Sequence, residues 1–329
     1  METNKERLIE IVRRFAGRHI VIAGDAIADK FLHGSISRVS REAPVFILRH
    51  EQTETLPGGA ANCAMNLVAL GAQVSLISVT GDDESGAELR ARLEAAGVDI
   101  GGVVVSNKIQ TTTKVRILAG QSHSSKQQVI RIDYEGASLN DEEIRAAILR
   151  GLERVIPSAK AVVMSDYNYG VVDSRVANLI RTTAAVPVLV DSRFHLTDFT
   201  GFTAATPNED EVENLTGTTI SSVEELEKAA RELKQRLNHS ALLVTRGGQG
   251  MTLLEGDNAP LHISAVGAQQ PVDVTGAGDT VIATFALALA SGASFEDATR
   301  LANYAGGLVV MKRGTATVST AELEQTITG

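Results

Sequence analysis

Asp273-Val274-Thr275-Gly276-Ala277-Gly278-Asp279 stands between a short polar loop and the apolar run Val281–Ala290, which reads as a buried helix. The Gly-Ala-Gly step lets the backbone turn sharply into that helix. It leaves amide N–H groups uncovered, so an anionic group can approach closely. Asp279 falls on the first turn, with its carboxylate beside the same spot. A pocket that holds a phosphoryl group next to a carboxylate able to take a proton from a hydroxyl is a phosphoryl-transfer site. Alone, the segment would also serve as an ordinary capped helix start. The rest of the chain decides between the two.

The 329 residues are 43% hydrophobic and 22% charged, enough to bury a large core. Trp is absent and aromatics are scarce, so Val, Ile, Leu and Ala must build that core. Such content suits strands covered on both faces by helices. With 31 basic and 40 acidic residues the net charge is −9, which argues against nucleic-acid binding through bulk electrostatics. Cys63 is the only cysteine, so no intrachain disulfide forms, and its surroundings read as helix core. The N-terminus carries Glu2, Lys5, Glu6 and Arg7 rather than an apolar signal region. The longest apolar runs fall short of a membrane span. The expectation is a cytoplasmic protein.

Residues 4–16 suit an amphipathic helix, followed by a buried strand His19–Gly24. Phe31 to His50 alternates irregularly and reads as short strands and turns. A helix is predicted from Pro57 to Leu70, then strand Val74–Val79 and helix 83–96. Gln110–Leu118 and Gln127–Asp133 read as a hairpin joined by the polar loop Gly120–Lys126. From there helices 140–154, 173–184, 209–216 and 221–237 alternate with strands Ala161–Ser165, Pro187–Asp191, Thr203–Thr206 and Ala241–Thr245. Met251–Leu254, Leu261–Ser264 and helices 277–291 and 295–312 complete the chain. This rhythm implies a mostly parallel sheet sandwiched by helices. With no repeat or linker, residues 1–329 read as one domain, in which segments about 31–50 and 110–134 form a small β lid.

Several motifs fall where open α/β sheets bind ligands. Asp25 follows the first strand. Pro57-Gly58-Gly59-Ala60-Ala61-Asn62 offers close backbone approach and an amide that can both donate to and accept from a sugar hydroxyl. Asn208-Glu209-Asp210-Glu211 opens a helix, where Asn208 and Glu211 could hold magnesium through water or simply form a capping box. Thr245-Arg246-Gly247-Gly248-Gln249-Gly250 suits a loop against nucleotide phosphates or ribose. Arg38, Arg41, Lys114, Arg116 and Arg131 on the lid segments could hold a phosphate already on the substrate. There is no G-x-x-x-x-G-K-[ST] loop, no G-x-G-x-x-G after the first strand, no zinc-spaced Cys/His set and no G-x-S-x-G elbow.

Taken together and in this order, these motifs resemble the ribokinase-like, or phosphofructokinase-B, family of sugar kinases, over essentially the whole chain. The resemblance implies a three-layer α/β/α sandwich with a small β lid, and ATP and Mg²⁺ as cofactors. It implies Asp279 as catalytic base, an anion hole from the amides of Gly276, Ala277 and Gly278, and Asn208–Glu211 serving the magnesium–ATP complex. By the same resemblance Asn303 lines the adenine pocket, Asp273, Thr275 and Gly314 form a site for K⁺ or another monovalent cation, and a homodimer joins through the lids.

Longer matches narrow the resemblance further. Ser37–Val45, Pro57–Asn62, Ser165-Asp166-Tyr167, Thr206-Pro207-Asn208, Leu242–Arg246 with Gln249-Gly250-Met251, and Asp273–Ile282 are similar to the branch that phosphorylates heptose 7-phosphate for lipopolysaccharide synthesis. That places Asp166 near the substrate. Ribose, fructose, a keto-deoxy sugar acid or another sugar phosphate stay open as substrates, as does a non-catalytic binding protein. The branch often carries a fused nucleotidyltransferase domain, whose activity is expected to be absent here. Two departures stand out: Tyr169 and Arg193 replace lysines of the relatives' Ser-Asp-Tyr-x-Lys-Gly and Asp-Pro-Lys-Gly.

Overall fold

The computed structural model describes residues 2–120, 126–136, 139–267 and 270–329. In chain order the first elements are α1 (Glu2–Arg13), β1 (His19–Gly24), β2 (Ala26–Val39), β3 (Phe46–Gly59), α2 (Ala60–Ala69), β4 (Gln73–Gly81), α3 (Glu84–Ala95) and β5 (Asp99–Ser106). Next come β6 (Thr113–Gly120), β7 (Gln127–Tyr134), α4 (Glu142–Val155), β8 (Ala161–Asp166), α5 (Ser174–Thr183), β9 (Val188–Ser192) and β10 (Ala204–Ala205). The remainder are α6 (Glu209–Thr216), α7 (Val223–Leu237), β11 (Ala241–Thr245), β12 (Met251–Glu255), β13 (Leu261–Ile263), α8 (Ala277–Ala290), α9 (Phe295–Val309) and α10 (Thr320–Thr328).

Continuous aliphatic runs such as Ile20–Ala23 and Ala161–Met164 are wholly buried, as strands covered on both faces must be. They belong to a nine-stranded sheet of order β13-β12-β11-β10-β9-β8-β1-β4-β5. Pairing is parallel from β5 to β11, while β12 and β13 return antiparallel. One apolar layer joins α1, α2, α3, α8, α9 and α10 to one face, through residues such as Leu67, Phe285 and Leu301. The other joins α4, α5 and α7 to the opposite face, through Ile148, Ile180 and Leu233. The predicted α/β/α layering is the observed one. Among the described residues, no helix is long and apolar enough to cross a membrane.

A second sheet of order β3-β2-β6-β7 stands apart from the first. It corrects the short strands and turns expected over 31–50. β2 and β3 are 14 residues each and pair antiparallel, with register shifts at His33/Gly34 and Ile36/Arg38. Each bulge flips the alternation of faces, which erased the period-two signal. The strand β3 also absorbs Pro57-Gly58-Gly59, so the helix predicted from Pro57 begins at Ala60. β6 and β7 pair antiparallel as the hairpin reading required, and residues 121–125 of its loop lie outside the described residues.

Two elements escaped the sequence reading. β5 is an edge strand whose Gly101-Gly102 hides it, and a Cβ at Gly102 would stand 3.0 Å from the Leu76 carbonyl oxygen of β4. α10 is announced by Ser319-x-x-Glu322, which forms a complete capping box, and it buries Leu323 and Ile327 beside α1. Ser319→Ala is expected to lower unfolding stability by about 1 kcal/mol, read as a shifted urea midpoint with unchanged slope.

Candidate active site

β1 and β8 are neighbours whose following helices, α2 and α5, lie on opposite faces of the sheet. The crevice beyond their C-terminal ends is where such sheets bind ligands. Asp25 occupies it, but not as expected. Its Oδ2 accepts from the N–H of Tyr167 at 2.8 Å and of Tyr169 at 3.1 Å, and its Oδ1 from the N–H of Val171 at 3.0 Å. Burial pushes this carboxyl up to about 6, against the pull of the three amides. The expectation that Asp25 meets substrate is corrected: it anchors the loop after β8. Asp166 has a similar fate, with Oδ1 accepting from Asn168 N–H and Oδ2 from the Ser192 hydroxyl at 2.6 Å.

Asp279 sits on the first turn of α8 and is buried, 4% exposed. Asn62 Nδ2 donates to its Oδ2 at 2.8 Å, and the Tyr167 hydroxyl donates to its Oδ1 at 2.8 Å. Asn62 is therefore turned toward Asp279 rather than offered whole to a sugar. Asn66 and Thr280 extend this polar strip between α2 and α8, with Thr280 Oγ1 donating to Asn66 Oδ1 at 3.0 Å. Desolvation raises the Asp279 carboxyl to about 6, although the two donors and Lys114 oppose it.

The helix start is built for an anion. Gly276 caps α8 in the left-handed region (φ 76°), and a Cβ there would stand 2.4 Å from Asn62 Nδ2, so only glycine fits. No side chain caps the helix. The amides of Gly276 and Gly278 have no hydrogen-bond partner among the described residues, which leaves them for an anionic ligand. Ala277 differs from expectation, because its N–H turns back to the Val274 carbonyl at 3.2 Å.

The lid brings cations over the crevice. Asp29 and Phe31 of β2 pair in register with Lys114 and Arg116 of β6, so these side chains share the inner face. Arg116 Nη2 bonds Asp29 Oδ1 at 3.1 Å, while its buried Nε has no partner. The Lys114 ammonium lies 5.7 Å and 5.8 Å from the ring centroids of Tyr167 and Tyr169. Burial lowers its pKa, and Asp29 and Asp133 partly restore it. A Cβ at Gly58 would stand 2.4 Å from Asp29 Oδ2, so the glycine makes room for that carboxylate. Gly59 ends β3 in the left-handed region. Arg131 is opposite Arg116 and pairs with Asp133 at 2.8 Å. Arg38 and Arg41 are exposed, and Arg38 lies beyond the Ser35–Gly120 pair that closes the β2–β6 register, outside this cluster.

A cleft opens on the other side of Gly278. It brings together Thr245, Gly247, Gly250 and Asn303, with Val281 and Gly307. Asn303 is itself tied to the Ser264 carbonyl at 2.8 Å. Asn208 and Glu211 form the capping box, in which each side chain accepts from the other's N–H. Only Oε2 of Glu211 is used there, so Oε1 can accept from a water on a metal ion. Glu209 pairs with Arg246 at 2.7 Å, and Asp210 is exposed. Among the described residues no three His, Cys, Asp or Glu side chains gather around one point, so a metal here would keep its waters. Asp273 Oδ1 accepts from Thr275 N–H at 3.0 Å and its Oδ2 from Gly314 N–H at 2.9 Å, which brings the three expected cation-site residues together.

Asp29 carries no signal in the sequence, and Tyr167 and Asp191 have a place in motifs there but no role. The last is pushed well up by its surroundings, desolvation first, then the charges of Glu211 and Asp279.

Residues 32–322 match the pfkB family carbohydrate kinases. The chain belongs to that family. This kinase is a phosphotransferase acting on a sugar hydroxyl. It is 42% identical over 327 residues to the bifunctional protein HldE of Paramagnetospirillum magneticum, an alignment covering 98% of this chain and 65% of that protein. The chain thus spans 64–65% of the length of such curated relatives. Solved structures share its fold. Arabidopsis thaliana ribokinase complexed with ribose and ATP superposes with a TM-score of 0.73 at 24% identity, covering 95% of this chain and 99% of that one. Escherichia coli phosphofructokinase-2 in complex with potassium gives 0.78 at 20% identity, covering 95% and 98%.

Asp25→Asn would keep one acceptor oxygen and turn its N–H₂ toward at least one of the three N–H donors. It is expected to cost on the order of 2–4 kcal/mol of stability. Hydrogen exchange at the Tyr167, Tyr169 and Val171 amides is expected to accelerate more than in the rest of the sheet.

Proposed function

We propose that this kinase transfers the γ-phosphoryl group of ATP to the anomeric hydroxyl of a heptose 7-phosphate. The observation that carries the reading is the buried Asp279 carboxylate beside the uncapped start of α8, facing an inner lid surface that bears Lys114 and Arg116. The first pair supplies a base and an anion cradle, and the second supplies cations for a phosphate the sugar already carries. The 42% identity to HldE supports the same choice of sugar.

In this mechanism Asp279 takes the proton as the sugar oxygen forms its bond to the γ-phosphorus and the bond from that phosphorus to ADP breaks. The Gly276 and Gly278 amides meet the charge on the transferring group. Asp29 holds sugar hydroxyls in the place first given to Asp25, and the unpartnered Nε of Arg116 receives a phosphate oxygen. Glu211 and Asn208 would hold magnesium through water, where its charge would offset that of the ATP phosphates. Asp273, Thr275 and Gly314 would hold a potassium ion, a reading supported by the potassium complex of the phosphofructokinase-2 neighbour. The enzyme works in the cytoplasm, where ATP is available.

A homodimer through the lids completes the reading. The outer lid face aligns Val115 with Ile132 and Ile117 with Ile130 across β6 and β7, and Ile130 and Ile132 are 54% and 41% exposed. A second copy of the same face would cover this apolar patch. Sedimentation is expected to find a dimer, and Ile130→Asp with Ile132→Asp a monomer.

A coupled ADP-release assay tests the substrate. Turnover of heptose 7-phosphate is expected to exceed that of ribose, fructose or fructose 6-phosphate, and preference for an unphosphorylated sugar would remove the lid-cation role. Asp279→Asn is expected to lose about 10²–10⁴ in kcat, while Arg116→Ala raises KM for the sugar phosphate roughly 10- to 100-fold. Since the base must be ionised and its pKa is raised to about 6, kcat/KM is expected to fall as pH drops through 6 and to level off above it.

A further inference from the structure

Tyr167 has no part in the mechanism above, yet it touches the base. Its hydroxyl donates to Asp279 Oδ1 at 2.8 Å while Asn62 donates to Oδ2 from another element, so the carboxylate is gripped from two sides. The tyrosine is itself fixed at both ends. Its backbone N–H is bound by Asp25 at 2.8 Å, and the Lys114 ammonium of the lid lies 5.7 Å from its ring centroid.

We propose that Tyr167 is a positioning residue for phosphoryl transfer: its phenol fixes the plane of the Asp279 carboxylate and favours the ionised form that accepts the sugar proton. This rests on Asp279 being the base. The charges around that carboxylate are mixed. Asp29 of β2 and Asp191 of β9 disfavour its ionisation, Lys114 of β6 favours it, and the buried Cys63 thiol of α2 is held neutral. In so dry a place the loss of one donor is not made good by water. The phenol does not compete as base, because burial and the nearby Asp279 and Asp191 charges keep its proton on at neutral pH. A hydrogen bond that stabilises the charged form lowers the pH at which it forms, so removing the donor moves that pH upward.

Tyr167→Phe keeps the ring, its place under Lys114 and its backbone bond to Asp25, and removes only the hydroxyl. The rate profile with heptose 7-phosphate and ATP is to be followed from pH 5.5 to 9. The substrate's own phosphate titrates in wild type and variant alike, so the difference between them reports the enzyme. The acid limb of kcat/KM is expected to rise by about one pH unit. The loss in rate is then about two-fold at pH 7 and about eight-fold at pH 5.5, KM for either substrate stays within about two-fold, and rate returns to wild type near pH 9. A loss equal at every pH, or no change at all, overturns the proposal. A fluorinated tyrosine placed at position 167 gives an independent reading without removing a group. Its stronger donor is expected to move the limb to lower pH, and an unmoved limb counts against the proposal even if the phenylalanine variant fails to fold. Asp279→Asn separates the two layers. If it keeps its rate, the base assignment itself falls; if it is inactive while Tyr167→Phe matches wild type, only the role of Tyr167 falls.

Discussion

Burying one carboxylate at the start of α8 is the constraint around which the site is arranged. Removing Asp279 from water disfavours its charge, and the fold answers with two hydrogen-bond donors and an uncapped helix start. Each answer has its own support. Asn62 needs Gly276 to lack a side chain, and the α2–α8 contact carries Asn66 and Thr280 to close the polar strip. Tyr167 needs Asp25 to hold its loop. The net result is a carboxyl near 6 rather than near its ordinary 3.8: charged at neutral pH, yet more basic than an exposed aspartate.

The sheet order decides which residues can join this arrangement. β1 lies between β8 and β4, and the chain leaves β1 through a single residue, Asp25, into the lid strand β2. The lid is therefore rooted at the same crevice where the loops after β8 and β9 end. Its inner cations arrive already partnered, Arg116 with Asp29 and Lys114 over two aromatic rings, so little rotamer entropy remains to be lost when an anion binds.

Much of this was legible in the sequence. The aliphatic strands and the helices between them needed only their periodicity, because a buried parallel strand and a capped helix each write a local pattern. The Gly276–Asp279 turn was legible for the same reason. The lid was legible as a small β unit over 31–50 and 110–134, but its two long strands were not, because two bulges break their alternation, and that misreading carried over to their residues. With β2 unseen, Asp25 and Asp29 were two acids after a strand with nothing to separate them. Only the lid's pairing, which sets Asp29 across from Lys114 with its carboxylate against Gly58, tells the acid facing the crevice from the loop anchor. Tyr167 is a different kind of omission. One tyrosine has no period, and its meaning comes from β8 lying beside β1 and under α8, a relation between segments about 110 residues apart. Glu209 was read from its motif alone, and its ion pair with Arg246, from a segment 37 residues away, has no local signal.

The alternation along the lid strands has an evolutionary corollary. Asp29, Lys114 and Arg116 project inward, while their immediate neighbours Lys30, Val115 and Ile117 project to the far side. Adjacent codons thus answer to different selective pressures, one set to the small molecule beneath the ribbon and the other to whatever adjoins its back. A one-residue insertion in such a strand would exchange the two vocabularies at once.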